Sequence, residues 1–171
     1  MGDSILSRKR DLVYLIHFSI SLPMAFLMDL QAIYPSSMVP GFMLSLKNYY
    51  INTYNDRFFV ETPPFFKLFI WSELFFQAPV MLWALGGLYR NSPKVSLVLL
   101  PYSTVVFLTT VTCMFEFAFW PVPSTEKIEL CKLYGPYLAI SAFMAVDMYL
   151  RLNNVIARAS TASSTRVKKA Q

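Results

Sequence analysis

Apolar residues gather into four long runs, Leu12 to Tyr34, Phe65 to Tyr89, Ser96 to Phe119 and Leu133 to Leu152, with polar residues between them. At about 1.5 Å per residue, each run can cross a hydrocarbon core of about 30 Å as a helix. The pattern predicts an all-α, four-helix transmembrane bundle with both termini on one side. Pro23, Pro79, Pro101 and Pro136 place one proline in every run. Each removes a backbone hydrogen bond and crowds the preceding turn, so kinked helices are expected, and bent helices that pack unevenly favour a cavity. The connection from Pro35 to Pro64 is long enough to hold structure of its own. Phe42, Leu46, Tyr49 and Tyr50 recur there at helical spacing, which predicts a short amphipathic helix lying over the bundle. The chain divides into an N-terminal segment (1–11), a membrane domain (12–157) and a small, polar, basic tail (158–171) expected to be disordered.

Composition strengthens the membrane reading. Of 171 residues, 56% are hydrophobic and 15% charged, against roughly 25% charged in a soluble domain. The first run is too long for the apolar part of a signal peptide and lacks a small-residue cleavage pattern, so it reads as a permanent span. Gly2 invites myristoylation, but the sixth position holds Leu6 instead of a hydroxyl residue, and that modification is set aside.

Charge then sets the orientation. Ten of the fifteen basic residues fall on the side of the termini: Arg8, Lys9, Arg10, Arg90, Lys94, Arg151, Arg158, Arg166, Lys168 and Lys169. Lys47, Arg57, Lys67, Lys127 and Lys132 fall on the other. The richer side is expected to be cytoplasmic, and the net charge of +5 then reflects topology and calls for no nucleic-acid partner. Lys168 and Lys169 stand fourth and third from the end of the sequence, the spacing of the dilysine retrieval signal of endoplasmic reticulum membrane proteins. The alternative is a basic flank attracted to anionic lipid; the predicted topology favours the signal. Cys113 and Cys131, the only cysteines, indicate no metal site. They flank the third, lumenal loop, where one bridge is conceivable and two free thiols are the simpler reading.

Two acids carry the chemistry. Asp29 lies near the end of the first run, and an ionised carboxylate in a bilayer costs about 2.5 to 3.5 kcal/mol on insertion scales. Glu73, in "KLFIWSELFFQAP", is again surrounded by apolar sequence. Antiparallel helices bring the two to compatible depths of roughly 7 and 13 Å below the lumenal ends, within a helical turn of each other. Two like charges at about 4 Å repel by about 4 kcal/mol at an effective dielectric of 20, so a touching pair shares one proton. Such a site suits an amphipathic cation, or a hydroxyl that donates to it. The competing reading is that the pair only ties two helices together. Gln77 follows Glu73 on the same face. Ser103 with Thr110, and Tyr134 with Tyr137 and Ser141, form polar faces on the third and fourth runs that would give an apolar pocket its few hydroxyls. Asp147 and Arg151 are spaced for an ion pair, and His17 is too far along its helix to act on Asp29.

"LPMAFLMDLQA", "ETPPFFKLFIWSELFFQAP" and "LYGPYL", in that order, resemble the sigma-2 receptor branch of the EXPERA group, which also includes the emopamil-binding sterol isomerases. The resemblance implies a four-helix endoplasmic reticulum protein, often a homodimer. It implies a lumen-side pocket for sterols and cationic amphiphiles and a part in cholesterol homeostasis. It also implies a lysosomal cholesterol exporter of the Niemann-Pick type as a partner. By position, Asp29 becomes the amine-binding carboxylate and Glu73 its proton-sharing neighbour. Asp56 becomes an acid tied to binding or to pocket shape, and Tyr50, Gln77, Thr110, Tyr134 and Tyr137 line or border the cavity. A family histidine two residues before Pro23 is Ser21 here, and the loop after the second run is short.

The leading expectation is a non-enzymatic sterol-binding protein without a cofactor. The runner-up is a sterol double-bond isomerase using the pair as acid and base, although the isomerase branch has a fifth span and a histidine near its acids. A membrane-protein chaperone or adaptor is the third class.

Overall fold

The structure, a computed structural model, describes residues 4–169, with side chains described for 4–161 apart from Ser36. Helix α1 (Lys9–Leu27) gives way to a tight 3-10 turn at Asp29–Ala32. The connection that follows holds α2 (Gly41–Tyr54) and the short α3 (Arg57–Glu61). Helix α4 (Pro64–Ser72) continues through a π-helical turn, Glu73–Gln77, into α5 (Ala78–Tyr89). Helices α6 (Val95–Ala118) and α7 (Ser124–Lys169) complete the chain. Four stretches are long and apolar enough to cross a membrane, Lys9–Ala32, Pro64–Tyr89, Val95–Ala118 and Ser124–Thr161. The first three match their runs to within three residues, the fourth encloses its run, and no strand occurs among the described residues.

The fourth helix departs from its expected end. Hydropathy ends the run at Leu152 and assigns disorder from 158, whereas α7 continues as helix through Lys169. Ala157, Arg158 and Ala159 are strong helix formers added to an existing helix, so no new nucleus is needed. The Ser160 and Thr161 hydroxyls donate to the carbonyls of Ile156 and Ala157, both at 3.0 Å. The side chains of Lys168 and Lys169, which carry the retrieval-signal reading, lie outside the described residues.

Helix α1 packs on α5, α5 on α6, and α6 along α7. Ala25, Ala78 and Ala84 are buried at these contacts, and small side chains let membrane helices approach closely. Two apolar cores result. One, toward the termini, is built on Tyr14, Phe18, Met81, Leu88, Leu99 and Met148. The other, toward the first connection, is mainly aromatic, with Phe58, Phe59, Phe66, Phe117 and Trp120 around Leu30 and Leu130.

The terminus end is closed by a buried charge cluster. Asp147 pairs with Arg151 at 2.7 Å, as its spacing predicts, and also with Arg10 at 2.8 Å. Arg151 reaches Asp11 at 2.6 Å, and the Tyr14 hydroxyl donates to Asp147 at 3.0 Å. Arg8 pairs with Asp11 and donates to the Leu88 carbonyl at 2.8 Å. Asp11 and Asp147 are thus buried with cationic partners, as buried carboxylates require.

Helix α2 forms where the spacing predicts a helix, but without the predicted inward row. Met43 is buried and Tyr50 packs against the aromatic core, whereas Leu46 is half-buried and Phe42 and Tyr49 are exposed. One side chain anchors α2. The Gln31 amide donates to the Leu27 carbonyl at the end of α1 and to the Met43 carbonyl at 3.0 Å. Gln31→Ala is expected to cost about 1–3 kcal/mol, because a buried acceptor on each element loses its donor. Hydrogen exchange should then rise across residues 41–54 with little change in α6; uniform protection would contradict this role.

Candidate ligand-binding site

Two local irregularities aim the acids. Pro79 has no amide to give, and its ring crowds the carbonyl four residues back, at Phe75. The chain widens there, and the Ala78 amide bonds instead to the Glu73 carbonyl five residues back. In the first span the α-helix stops at Leu27, and the 3-10 turn begins with Asp29. Neither turn is visible in the hydropathy pattern, and π turns inside helices are frequent at functional sites.

A cavity of about 240 Å³ lies where the two cores meet. Asp29, Tyr50, Glu73, Gln77, Thr110, Tyr134 and Tyr137 all line it, drawn from every span and from α2. The rest of the wall is mostly apolar, with Met24, Met28, Phe59, Phe66, Phe69, Ile70, Val106 and Leu133, together with Thr109 and Cys113. The apolar lining was not singled out from the sequence. Its signal is helical spacing: Phe66, Ile70, Glu73 and Gln77 follow one face of the second span, and Val106, Thr110 and Cys113 one face of α6. Both cysteines are free thiols, Cys113 buried and Cys131 exposed.

Among the described residues, neither the Asp29 nor the Glu73 carboxyl accepts a hydrogen bond from a protein group, and neither is sealed from the cavity. Thr110 behaves similarly. Ser103, Thr104, Thr109 and Thr112 on the same helix each return a hydroxyl to a carbonyl three or four residues back. Thr109 takes the Val106 carbonyl at 3.1 Å, and the buried Thr110 hydroxyl has no partner within the protein. Gln77 donates to the Ser72 hydroxyl at 3.2 Å, which leaves its amide oxygen open. Unmatched polar groups in an otherwise apolar wall are what a ligand can satisfy.

Asp56 has a different place. It is 0% exposed and does not line the cavity. Asn55, in the left-handed region at φ 49°, ends α2, and Asp56 caps α3 by accepting the Phe58 amide at 3.0 Å. Its other oxygen accepts the hydroxyls of Tyr50 and Tyr134, both at 2.8 Å. Those tyrosines are the cavity wall, so Asp56 shapes the site from behind. Burial pushes its carboxyl above the ordinary range, against the opposing pull of the Tyr50, Tyr134 and Phe58 hydrogen bonds. Burial, then the neighbouring Asp56, raise the Tyr50 hydroxyl as well. No cluster of three or more metal-ligating side chains occurs among the described residues.

Residues 42–148 match the EXPERA family, the expanded EBP superfamily. The chain is 24% identical to Sigma intracellular receptor 2 of Xenopus tropicalis over 155 residues, covering 85% of this chain and 91% of that protein. Identity to the human Sigma intracellular receptor 2 is 27% over 146 residues, covering 78% and 83%. Efficient mitochondria targeting-associated protein 19 of Schizosaccharomyces pombe is 33% identical over 148 residues, covering 83% and 76%. The family match takes in every cavity residue named from the sequence except Asp29, which precedes it on the first span. With four membrane-spanning stretches and a match over most of its length, this chain belongs to the EXPERA family.

Proposed function

We propose that this is a multi-pass protein of the endoplasmic reticulum membrane, with both termini cytoplasmic, that binds sterols and cationic amphiphiles in its intramembrane cavity and serves sterol homeostasis. The observation that carries this reading is the pair of cavity-facing carboxyls, Asp29 and Glu73, without partners inside the protein. Sharing one proton, the pair presents a single negative charge to a cationic head, while Met24, Phe66, Ile70 and Val106 cover an apolar body. A sterol hydroxyl finds an acceptor in the same pair, and Thr110 and Gln77 offer a second polar contact. Relatives carrying the name Sigma intracellular receptor 2 favour a receptor over an enzyme. The test is equilibrium binding of a labelled sterol and of a labelled tertiary-amine amphiphile to the purified protein, each competing with the other. Mutual displacement supports one shared cavity; independent binding of the two contradicts it.

An isomerase is the second reading, because a carboxyl pair holding one proton is both an acid and a base beside aromatic rings that stabilise a carbocation. Incubation with an unsaturated sterol is expected to leave the double bond in place. A shift in wild type that Glu73→Gln abolishes would establish catalysis instead.

A further inference from the structure

The charge cluster at the terminus end does not balance. Arg8, Arg10 and Arg151 meet only two carboxylates, Asp11 and Asp147, which leaves one positive charge. The excess sits at one edge. Arg8, with a side chain 14% exposed, spends its guanidinium on Asp11, on Asn91 and on the carbonyls of Leu88 and Tyr89. Arg151 gives one terminal nitrogen to Asp11 and the other to Asp147. Arg10 gives only Nη1, to Asp147 at 2.8 Å, and its side chain remains 66% exposed. The edge that carries Nε and Nη2 has no acceptor among the described residues. Asp147 is itself fixed by Arg151 and by the Tyr14 hydroxyl, so it holds the Arg10 guanidinium in place.

Arg10 stands over a groove between α1 and α7. Val13 and Ile20, three and ten residues after Arg10, lie on one side of α1 beside the face that meets α7, and both are exposed. Phe143 and Val146, four residues and one residue before Asp147, hold the matching side of α7 and are exposed as well. The Tyr14 ring meets Phe143 across the seam, 6.2 Å between centroids, and forms the floor. From Arg10 to Ile20 the groove runs about 15 Å, half of a hydrocarbon core of about 30 Å. Other cations lack this setting. Arg57 and Lys132 are each paired with a carboxylate one turn away, and Lys127 donates to the Ala118 carbonyl. Arg90 and Lys94, on the side of the termini, are exposed and held by no carboxylate among the described residues.

We propose that Arg10 and this groove bind one anionic phospholipid from the leaflet on the side of the termini. Arg10 Nε and Nη2 donate to the phosphate, and an acyl chain lies along Val13, Ile20, Phe143 and Val146. The guanidinium fork matches phosphate oxygens, and a fork already held by a buried carboxylate loses little freedom on binding. Charge selects the headgroup. A net-negative lipid neutralises the excess of the cluster. The ammonium of a zwitterionic head finds no carboxylate to meet, because Asp11 and Asp147 are buried and already shared among three guanidiniums. Basic pockets between membrane helices are a recurrent place for anionic heads. The site lies outside the cavity and does not depend on what enters there.

The test titrates delipidated full-length protein in detergent with dioleoyl-phosphatidylglycerol or dioleoyl-phosphatidylcholine and resolves the first bound lipid by native mass spectrometry. The first phosphatidylglycerol should bind about tenfold tighter than the first phosphatidylcholine, the scale of one charge-assisted contact. Arg10→Gln should bring the two lipids to the same affinity. Arg90→Gln combined with Lys94→Gln removes twice the charge from the same side and should keep most of the preference. Arg10→Lys keeps the charge and the pairing with Asp147 but not the fork, and its preference should fall between the two. If Arg10→Gln does not fold, Arg10→Lys decides, and an undiminished preference there would overturn the site. Equal binding of the two lipids by wild type, or an equal loss in the Arg90 and Lys94 variant, would reduce the effect to a diffuse field and overturn it too. Glycerophosphoglycerol, the same head without chains, should not displace the lipid at equal concentration; displacement would remove the groove from the account. A dimer that phosphatidylglycerol does not disperse and that Arg10→Gln abolishes would assign the groove to a second copy of the chain instead.

Discussion

Asp29→Asn should lower affinity for a tertiary-amine amphiphile by about 30-fold or more, because removing one partner of a desolvated charge pair costs about 2–5 kcal/mol and 1.4 kcal/mol is tenfold. The substitution keeps the side chain's size and takes away only its charge. The cationic head then enters a cavity walled by Met28, Phe66, Ile70 and Val106 with less to offset its lost hydration. Glu73 complicates the outcome in a useful way. Once Asp29 is neutral, Glu73 is free to ionise and recover part of the attraction, so the loss in the double variant should exceed the sum of the two single losses. Asp29→Asn combined with Glu73→Gln should abolish amine binding, since no carboxyl is left in the cavity wall. A neutral sterol should lose far less in either variant. Competition binding across the four proteins measures this coupling, and strict additivity would mean that the two acids do not act as a pair.

Asp56→Ala should destabilise the protein by about 3–5 kcal/mol, the cost of breaking a buried hydrogen-bonded charge site. The change orphans two tyrosine hydroxyls and one backbone amide and uncaps α3. Because Tyr50 and Tyr134 are also cavity wall, ligand affinity should fall although Asp56 itself never touches the ligand. Asp56→Asn retains an acceptor and should lose less on both counts. The pH dependence has a definite sign. Burial raises the folded-state carboxyl above its unfolded value, so between those two values the folded protein binds more protons than the unfolded one. The contribution of Asp56 to stability is therefore full below the ordinary carboxylate range and declines as pH rises through the raised folded value. Thermal unfolding in detergent across that interval should show this decline in wild type and not in Asp56→Asn. The same slope in both proteins would assign it to another group.

Hydropathy dominates a membrane chain, which is why the four spans were legible in the sequence; the expectation that Asp29, Glu73, Gln77, Thr110, Tyr134 and Tyr137 gather at one cavity came from helix-face spacing and the family resemblance. What escaped depends on local backbone bonding. The π turn at Glu73–Gln77 follows from Pro79 crowding Phe75, and the end of α1 follows from Gln31 taking the Leu27 carbonyl. Neither leaves a mark in the spacing of apolar residues. Helix α2 misleads for another reason. It carries exposed apolar residues, Phe42, Leu44 and Tyr49, as well as inward ones, Tyr50, Ile51 and Tyr54, so periodicity could not say which row packs on the bundle. Asp56 carried a readable signal in Asn55–Asp56 before an apolar run, the composition of a helix end followed by a cap. Its two tyrosine partners, 6 and 78 residues away along the chain, exist only in the fold.

The decisive measurement is an experimental structure of the protein with a bromine-labelled tertiary-amine amphiphile. Bromine density is expected inside the cavity, beside Phe66, Ile70 and Val106, with the amine nitrogen within hydrogen-bond distance of the Asp29 or Glu73 carboxyl. An amine bound elsewhere, or lying in the cavity with its nitrogen turned away from both acids, would contradict a site anchored on the carboxyl pair.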